Sequence, residues 1–370
     1  MAILKLYKFL YPVPALALTA CYTDFTPKEI AQPVLCVNAL VTAGEPIETK
    51  ISHTWTYTDI QGEIDHEVND AGIEIYVNGT KVENDYCPNP GDLIKIEATS
   101  KRYGYSAGEV TVPVRPSIGD IKVNVTTERT AINQWVDYET FWDPVPGTET
   151  GTVTEIGFSF SVDMEITVSD PSPDRNYFRL ASHQTYDLDE DSKDDKMEVM
   201  FFPGRFRTDS EPIFSEHLDP IDAIDGNAWG FTFFTDRRFE MRDYTIHVSY
   251  ETSHFNLRYS RPYQEGDEAG NNLPDVEFIK AEFEKYLDMG IELNLETISE
   301  SYYNWANYAW QIDMGMLGDL SNVGLTDPIW AYSNTTSGAG IIVSRNPVNR
   351  FISLRSKLLD ALNQSLKNEK

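Results

Sequence analysis

Short apolar stretches of strand length dominate the first third of the chain, and several of them alternate with polar residues in the period of two that is typical of half-buried β-strands. The stretches are residues 34–41, 49–55, 71–79, 91–98 and 109–114. Turn-forming residues separate them, and Asn78-Gly79 favours a tight hairpin because both residue types tolerate a positive φ. Strands at this spacing predict a two-sheet β-sandwich domain over residues 33–115.

A second strand-rich region follows a proline-containing segment, residues 113–117, which we interpret as a stiff linker. The strand-like stretches of this region are residues 121–125, 155–162, 176–180, 229–234 and 243–250. We therefore predict a larger β-rich domain over residues 116–350, followed by a tail over residues 351–370.

One segment near the C-terminus has the period of an amphipathic helix. Its apolar residues fall at i, i+3, i+4, i+7 and i+8 and are Tyr302, Trp305, Ala306, Ala309 and Trp310. Thr297 or Ser299 can cap the start of this helix. Its aromatic face is expected to pack on the second sheet, and ligand stacking by Trp305 or Trp310 is the alternative. A second helix is predicted within the tail, over residues 351–366.

The first 21 residues have the layout of a secretory signal. Lys5 and Lys8 precede an apolar run, residues 9–20, that is shorter than the about 20 residues needed to span a bilayer. The run ends at Leu18-Thr-Ala-Cys21, where a cysteine follows small residues and can accept a lipid. The predicted segments are a signal peptide, residues 1–20, and a polar tether, residues 21–32, that begins at a lipidated Cys21. An ordinary signal peptide with a nearby cysteine is the alternative.

Acidic residues outnumber basic ones by 59 to 30, which gives a net charge of −29. Nucleic acid is not an expected partner, because its binding requires a concentrated positive patch. An anionic membrane surface would also repel this chain, so the lipid on Cys21 has to hold the protein at the membrane.

Two cysteines remain if Cys21 is acylated. Cys36 lies in a predicted strand and Cys87 lies in a turn-rich stretch. An even pair in an oxidising compartment makes a Cys36–Cys87 disulfide a candidate, and two unbonded thiols are the alternative.

An acidic segment has the register of an EF-hand calcium loop, with carboxylates at loop positions 1, 3, 5, 9 and 12. These residues are Asp187, Asp189, Asp191, Asp195 and Glu198. Calcium takes six to eight hard oxygen ligands, so the segment is a candidate calcium site. Ser192 stands where glycine normally makes the sharp turn, and a solvated acidic loop is the alternative. No other cofactor is expected.

The sequence has no recognisable catalytic motif. The six histidines are scattered without a zinc-binding spacing, and there is neither a nucleophile elbow nor a phosphate-binding glycine-rich loop. We therefore expect no enzyme activity. Aromatic residues make up 12% of the chain, which suits sugar or peptide binding as well as ordinary core packing.

Taken in order, several of these segments resemble a family of Bacteroidetes lipoproteins catalogued as domain of unknown function 4249. The segments that show the likeness are the lipidation motif and residues 34–46, 70–77, 176–178, 231–239, 301–303 and 327–340. Each segment alone is weak, and their order and spacing along nearly the whole mature chain make the case.

The expected fold is mainly β, with an immunoglobulin-like or transthyretin-like sandwich followed by a larger β-rich domain with one or two packed helices. The resemblance implies an outer-membrane lipoprotein, facing the cell surface or the periplasm, that serves a TonB-dependent receptor as a binding or accessory subunit in nutrient uptake. It supplies no catalytic residues and no ligand. A surface glycan or peptide hydrolase and a structural or adhesive surface protein are the alternatives.

Overall fold

The computed structural model describes residues 32–54, 66–139, 149–187, 206–208, 211–215, 232–251, 255–264, 276–284, 288–313, 318–320 and 331–367. Strands dominate these residues, which confirms the mainly β fold class. The strands are β1 (Leu35–Thr42), β2 (Glu48–His53), β3 (Gly72–Val77), β4 (Thr80–Val82), β5 (Leu93–Ser100), β6 (Gly104–Thr111), β7 (Ser117–Tyr138), β8 (Glu149–Ser169), β9 (Tyr177–Asp187), β10 (Phe233–Thr235), β11 (Asp243–Glu251), β12 (Phe255–Pro262), β13 (Asp288–Ile298) and β14 (Gly340–Ser353). The helices are α1 (Val276–Glu284), α2 (Glu300–Asp313) and α3 (Arg355–Lys367).

A six-stranded sheet forms the centre of the fold, in the order β10-β9-β13-β14-β1-β2. The β1–β14 pair is parallel, and the other neighbours in this sheet are antiparallel. Because β1 and β14 come from opposite ends of the chain, the sheet contains strands from both sides of residue 115. The domain limits predicted from the sequence stay a prediction, but hydrogen-bonded strands cross the predicted boundary.

The inner face of the central sheet carries two apolar cores side by side. The first lies between β1, β2 and β14 and a four-stranded sheet in the order β4-β3-β5-β6. Its fully buried side chains include Leu35, Val37, Val41, Ile75, Ile94, Ile96 and Ile342. Asn78 and Gly79 connect β3 to β4 with φ values of 51° and 81°, so the predicted hairpin turn is confirmed. Ile342 belongs to β14, so this core is completed by a strand outside residues 33–115.

The second core lies between the other half of the central sheet and a sheet built on the long β7–β8 hairpin. Both β11 and β12 pair with the free edge of β8, one after the other. Burial alternates along β8, because Phe158, Phe160 and Val162 are buried while Asp163 on the opposite face is exposed. Helix α3 closes this core with Leu358, Ala361, Leu362 and Leu366.

Polar side chains of the central sheet hydrogen-bond to the segment that connects β6 to β7. The hydroxyl of Ser344 donates to the Thr111 carbonyl at 2.7 Å, and the Asn346 amide donates to the Pro113 carbonyl at 3.0 Å. The Thr297 hydroxyl donates to the Val114 carbonyl. The predicted stiff linker is therefore bonded to the central sheet along its first residues.

The C-terminal elements differ most from the sequence prediction. The tail helix begins at Arg355, because residues 351–353 complete β14. Three strands and one helix were not predicted, and these are β12, β13, β14 and α1. None of the helices in the described ranges is long and apolar enough to cross a bilayer.

Candidate functional site

The candidate site lies on the outer face of the central sheet, opposite both cores. Helix α2 packs across this face against β9, β10 and β14. A groove of about 390 Å³ remains between the helix and the neighbouring strands β1 and β2. We call it the outer groove, and the residues used below to define it are Leu40, Glu48, Lys50, Tyr302, Trp305 and Val343.

Apolar side chains form most of the outer groove. Leu40 of β1 pairs with Val343 of β14, so both side chains lie on its floor. Trp305 of α2 forms a wall beside Tyr302, with the two ring centroids 6.0 Å apart. Leu40 is 37% exposed and Trp305 is 40% exposed. Leu40 and Trp305 thereby expose apolar surface within one groove, where a single partner can cover both.

The start of helix α2 fixes the wall of the outer groove. The Ser299 hydroxyl accepts a hydrogen bond from the Tyr302 amide at 3.3 Å, so Ser299 rather than Thr297 caps the helix. The Ser301 hydroxyl donates to the Ile342 carbonyl at 3.1 Å, which ties the first turn to β14. These two bonds place Tyr302 and the following turn over the sheet.

The aromatic face predicted for this helix is divided between two environments. Ala306 and Trp310 are buried and pack with Phe233 of β10. Trp305 instead stands in the outer groove. The prediction that the whole face packs on the second sheet is therefore wrong for Trp305, whose ring stays 40% exposed in the groove between the helix and strands β1 and β2.

A buried carboxylate with two arginines borders the outer groove. Glu296 of β13 is 1% exposed, and its Oε1 lies 3.0 Å from Nη1 of Arg345. Its Oε2 lies 3.4 Å from Nη1 of Arg179. The arginine side chains stay about one-third exposed, at 28% and 33%. We call these three residues the arginine triad, and it contains two positive charges for one negative charge.

The arginine triad lies on the same face of the sheet as the outer groove, next to it along β14. Arg345 and Val343 are two residues apart on one strand, so their side chains leave the same face of the sheet. The Nε of Arg345 donates to the Thr42 hydroxyl at 3.1 Å, and Thr42 is likewise two residues from Leu40 on β1. Burial raises the pKa of Tyr302, and the positive charge of Arg179 opposes that rise. Tyr302 therefore stays a neutral phenol between the two parts of the site.

A second groove, of about 590 Å³, lies where β6 and the start of α2 meet the residues before β9. Polar side chains in its lining hydrogen-bond to one another and to neighbouring residues. The Asn176 side chain donates to Asp170 at 2.9 Å and to Asp236 at 3.1 Å. Burial, followed by a hydrogen bond with Glu300, raises the pKa of Tyr177 to about 12. This arrangement serves to fix the chain, so we regard the outer groove as the better candidate site.

The candidate calcium ligands lie mostly outside the described residues. Asp187 ends β9, where it pairs with Asp288 of β13. The other four are residues 189, 191, 195 and 198, which lie outside the described residues, as does Cys21. Within the described part of the chain, no group of three or more histidine, cysteine or acidic side chains is arranged to hold a metal ion. The calcium site stays a prediction.

Both cysteines that the structure describes have free thiols. Cys36 is buried on β1, where burial raises the pKa of its thiol. It lies in a small surface groove with Asn38 and Ser52, on the outer side of the sheet. Cys87 is exposed in the turn region after β4, on the side of the four-stranded sheet. No bridge joins the two in this structure.

The arginine triad gave no signal in the sequence. Glu296 is one acidic residue among 59, and its two partners stand far from it in sequence order. The alternation of Ile291, Leu293 and Leu295 before it was the one available sign of a strand, and it would have placed Glu296 on the opposite face.

These features define a mainly β protein with an open, largely apolar groove and an arginine pair on the outer face of its central sheet. The chain belongs to the family described as Domain of unknown function (DUF4249), whose model matches residues 22–349. The resemblance inferred from the order of the sequence segments is thereby confirmed at the level of the family. The chain matches no curated protein and no solved structure.

Proposed function

We propose that the protein is a lipid-anchored binding or accessory subunit of a TonB-dependent receptor in the outer membrane, with the outer groove as its contact surface. The observation that supports the proposal most directly is the joint exposure of Leu40 and Trp305 in one groove. Such a surface suits binding, because apolar side chains gain free energy when a partner removes them from water.

The proposed anchor is a lipid on Cys21. The chain from Cys21 to Leu35, where β1 begins, spans 14 residues (35 − 21). A chain of this length reaches at most about 50 Å when fully extended. An anchored protein would therefore hold the outer groove close enough to the membrane to meet a receptor embedded in it.

Affinity isolation from outer membranes tests the proposal. The chain is produced in its native host with a C-terminal tag, cross-linked in intact cells and recovered from the outer-membrane fraction. We expect a TonB-dependent receptor to be recovered with it. We also expect Cys21→Ser to lose the membrane association.

Two variants of helix α2 link the result to the outer groove. Trp305 is 40% exposed in the groove, and Tyr308 is 39% exposed on the same helix but is not part of the groove lining. Trp305→Ala should lower receptor recovery, and Tyr308→Ala should leave it unchanged. Recovery of the protein without any receptor, or equal recovery with both variants, would contradict the proposal.

A further inference from the structure

The outer groove has the size and lining of a small-molecule site. Its volume of about 390 Å³ lies at the lower end of the about 300–1,000 Å³ that ligand pockets usually have. Leu40 and Val343 offer an apolar floor, and Trp305 offers a flat ring at the wall. An aromatic or aliphatic body of modest length fits this part of the site.

Arg345, which follows Val343 by two residues on the same face of β14, offers a different chemistry. The guanidinium of Arg345 uses its Nε on Thr42 and its Nη1 on Glu296. Those two bonds occupy two of the five N–H donors of an arginine side chain. The side chain is 28% exposed, so solvent and ligands can approach it.

The charge of the arginine triad indicates which polar group a ligand in the outer groove would carry. Two guanidinium groups face one carboxylate, so the triad itself has a net charge of +1, while Glu48 and Lys50 of the groove lining have opposite charges. A single negative charge balances that surplus. Arginine and carboxylate also match in geometry, because a planar guanidinium can donate two parallel hydrogen bonds to the two carboxylate oxygens.

From this geometry we infer that the outer groove binds a small amphipathic carboxylate. The apolar body lies on Leu40, Val343 and Trp305, and the carboxylate accepts hydrogen bonds from Arg345. The two parts of the ligand are separated by about 7 Å, the distance between alternate residues of a strand. The inference rests on the proposed binding function and names the class of ligand.

Three matched probes test the head group: 4-phenylbutyrate, its neutral primary amide and the cationic 4-phenylbutylamine. Binding to the purified full chain, with Cys21→Ser to remove the lipid, is measured by titration calorimetry at low salt. We expect the acid to bind about tenfold or more tightly than the amide, since a hydrogen bond to a charged group is the stronger kind. The amine should bind least.

Three variants locate the binding. Trp305→Ala should weaken the binding of the acid and of the amide alike, because it removes the wall on which the apolar body of the ligand packs. Arg345→Gln should abolish the difference between acid and amide. Arg350→Gln changes an exposed arginine of the same strand whose side chain leaves the opposite face of the sheet, and it should change neither affinity. The comparison of probes on the unmodified chain tests the head group even where Arg345→Gln fails to fold.

Two results would overturn the inference: an amide that binds as tightly as the acid, or binding that survives Trp305→Ala. The failure of the inference is distinguishable from that of the proposed function. Receptor recovery that depends on Trp305 without any acid binding would refute the ligand class and support the accessory role. Acid binding without receptor recovery would support the ligand class and refute the accessory role.

Discussion

Gly340 lies directly against the backbone of Val37, at the first rung of the parallel pair between β1 and β14. Its φ is +92°, and a Cβ at this position would meet the backbone nitrogen and oxygen of Val37 at less than van der Waals distance. The pairing of the two strands therefore requires a residue without a side chain.

Replacing this glycine should loosen the central sheet. Gly340→Ala adds a clash with β1 to the strain of a left-handed backbone. We therefore expect a loss of unfolding free energy several times larger than the strain alone would cause. Gly338→Ala is the matched control, because Gly338 has a φ of +72° and open space around its Cα. The control should lose only about 1–2 kcal/mol of unfolding free energy. Urea unfolding of both variants measures the difference, and equal losses would refute the explanation.

Truncation of the two tryptophans of α2 should change the unfolding free energy by very different amounts. Trp310 is 8% exposed, so Trp310→Ala is expected to cost about 3–5 kcal/mol of unfolding free energy. Trp305→Ala should change stability by only about 0.5 kcal/mol, because the ring stands in the outer groove. Thermal or chemical unfolding tests the contrast. A large loss from Trp305→Ala would show that this ring belongs to the core rather than to a binding surface.

The arginine triad should be sensitive to the loss of its carboxylate. Glu296→Gln leaves Arg179 and Arg345 without the negative charge between them. We expect the variant to lose about 2–3 kcal/mol of unfolding free energy. This is less than the about 3–5 kcal/mol of a fully buried pair, since solvent still reaches both arginines. Glu165→Gln is the control, because Glu165 pairs with Lys122 on an exposed surface. The control should leave stability nearly unchanged, and a similar loss in both variants would contradict the role of burial.

The carboxyl group of Asp236 should make stability depend on pH. Burial raises its pKa, and hydrogen bonds from the Asn176 backbone and side chain oppose the rise. The folded state therefore holds this proton more tightly than the unfolded chain, whose aspartates titrate near pH 3.9. As pH rises through the window above that value, the unfolded chain releases its proton first and stability falls.

Asp236→Asn removes this titration. We expect the unfolding free energy of the variant, relative to the unmodified protein, to increase as pH is raised from about 3 to about 6. Denaturant unfolding at a series of pH values gives the comparison. A difference between the two proteins that stays constant with pH would show that Asp236 titrates alike in the folded and unfolded states.

Local burial patterns made part of this fold predictable from the sequence. The strands β1 and β5 were predicted within about two residues. In β5 alternate side chains enter a core and leave a period of two, whereas β1 is an almost continuous run of apolar residues that is buried nearly throughout. The Asn78-Gly79 turn was predicted because its backbone conformation restricts the residue type. In both cases the physical cause lies within a few neighbouring residues.

The candidate site was not predictable in the same way. The outer groove exists because β14 pairs with β1 and because α2 covers one half of the sheet and leaves the other half open. Neither fact is encoded near Leu40 or Trp305. The arginine triad likewise joins β9, β13 and β14, whose neighbourhood depends on sheet order rather than on local sequence.

The parallel pair of β1 and β14 also sets an order of events for the newly made chain. Strand β1 cannot complete its sheet until β14 has been synthesised, since Ile341 and Asn38 are 303 positions apart. Contacts between such distant positions slow folding, because a large loop must close before any of them is gained. If the chain crosses a membrane before it folds, as the predicted signal peptide implies, this delay would keep the polypeptide unfolded during export, and folding would wait until its C-terminal strand had arrived.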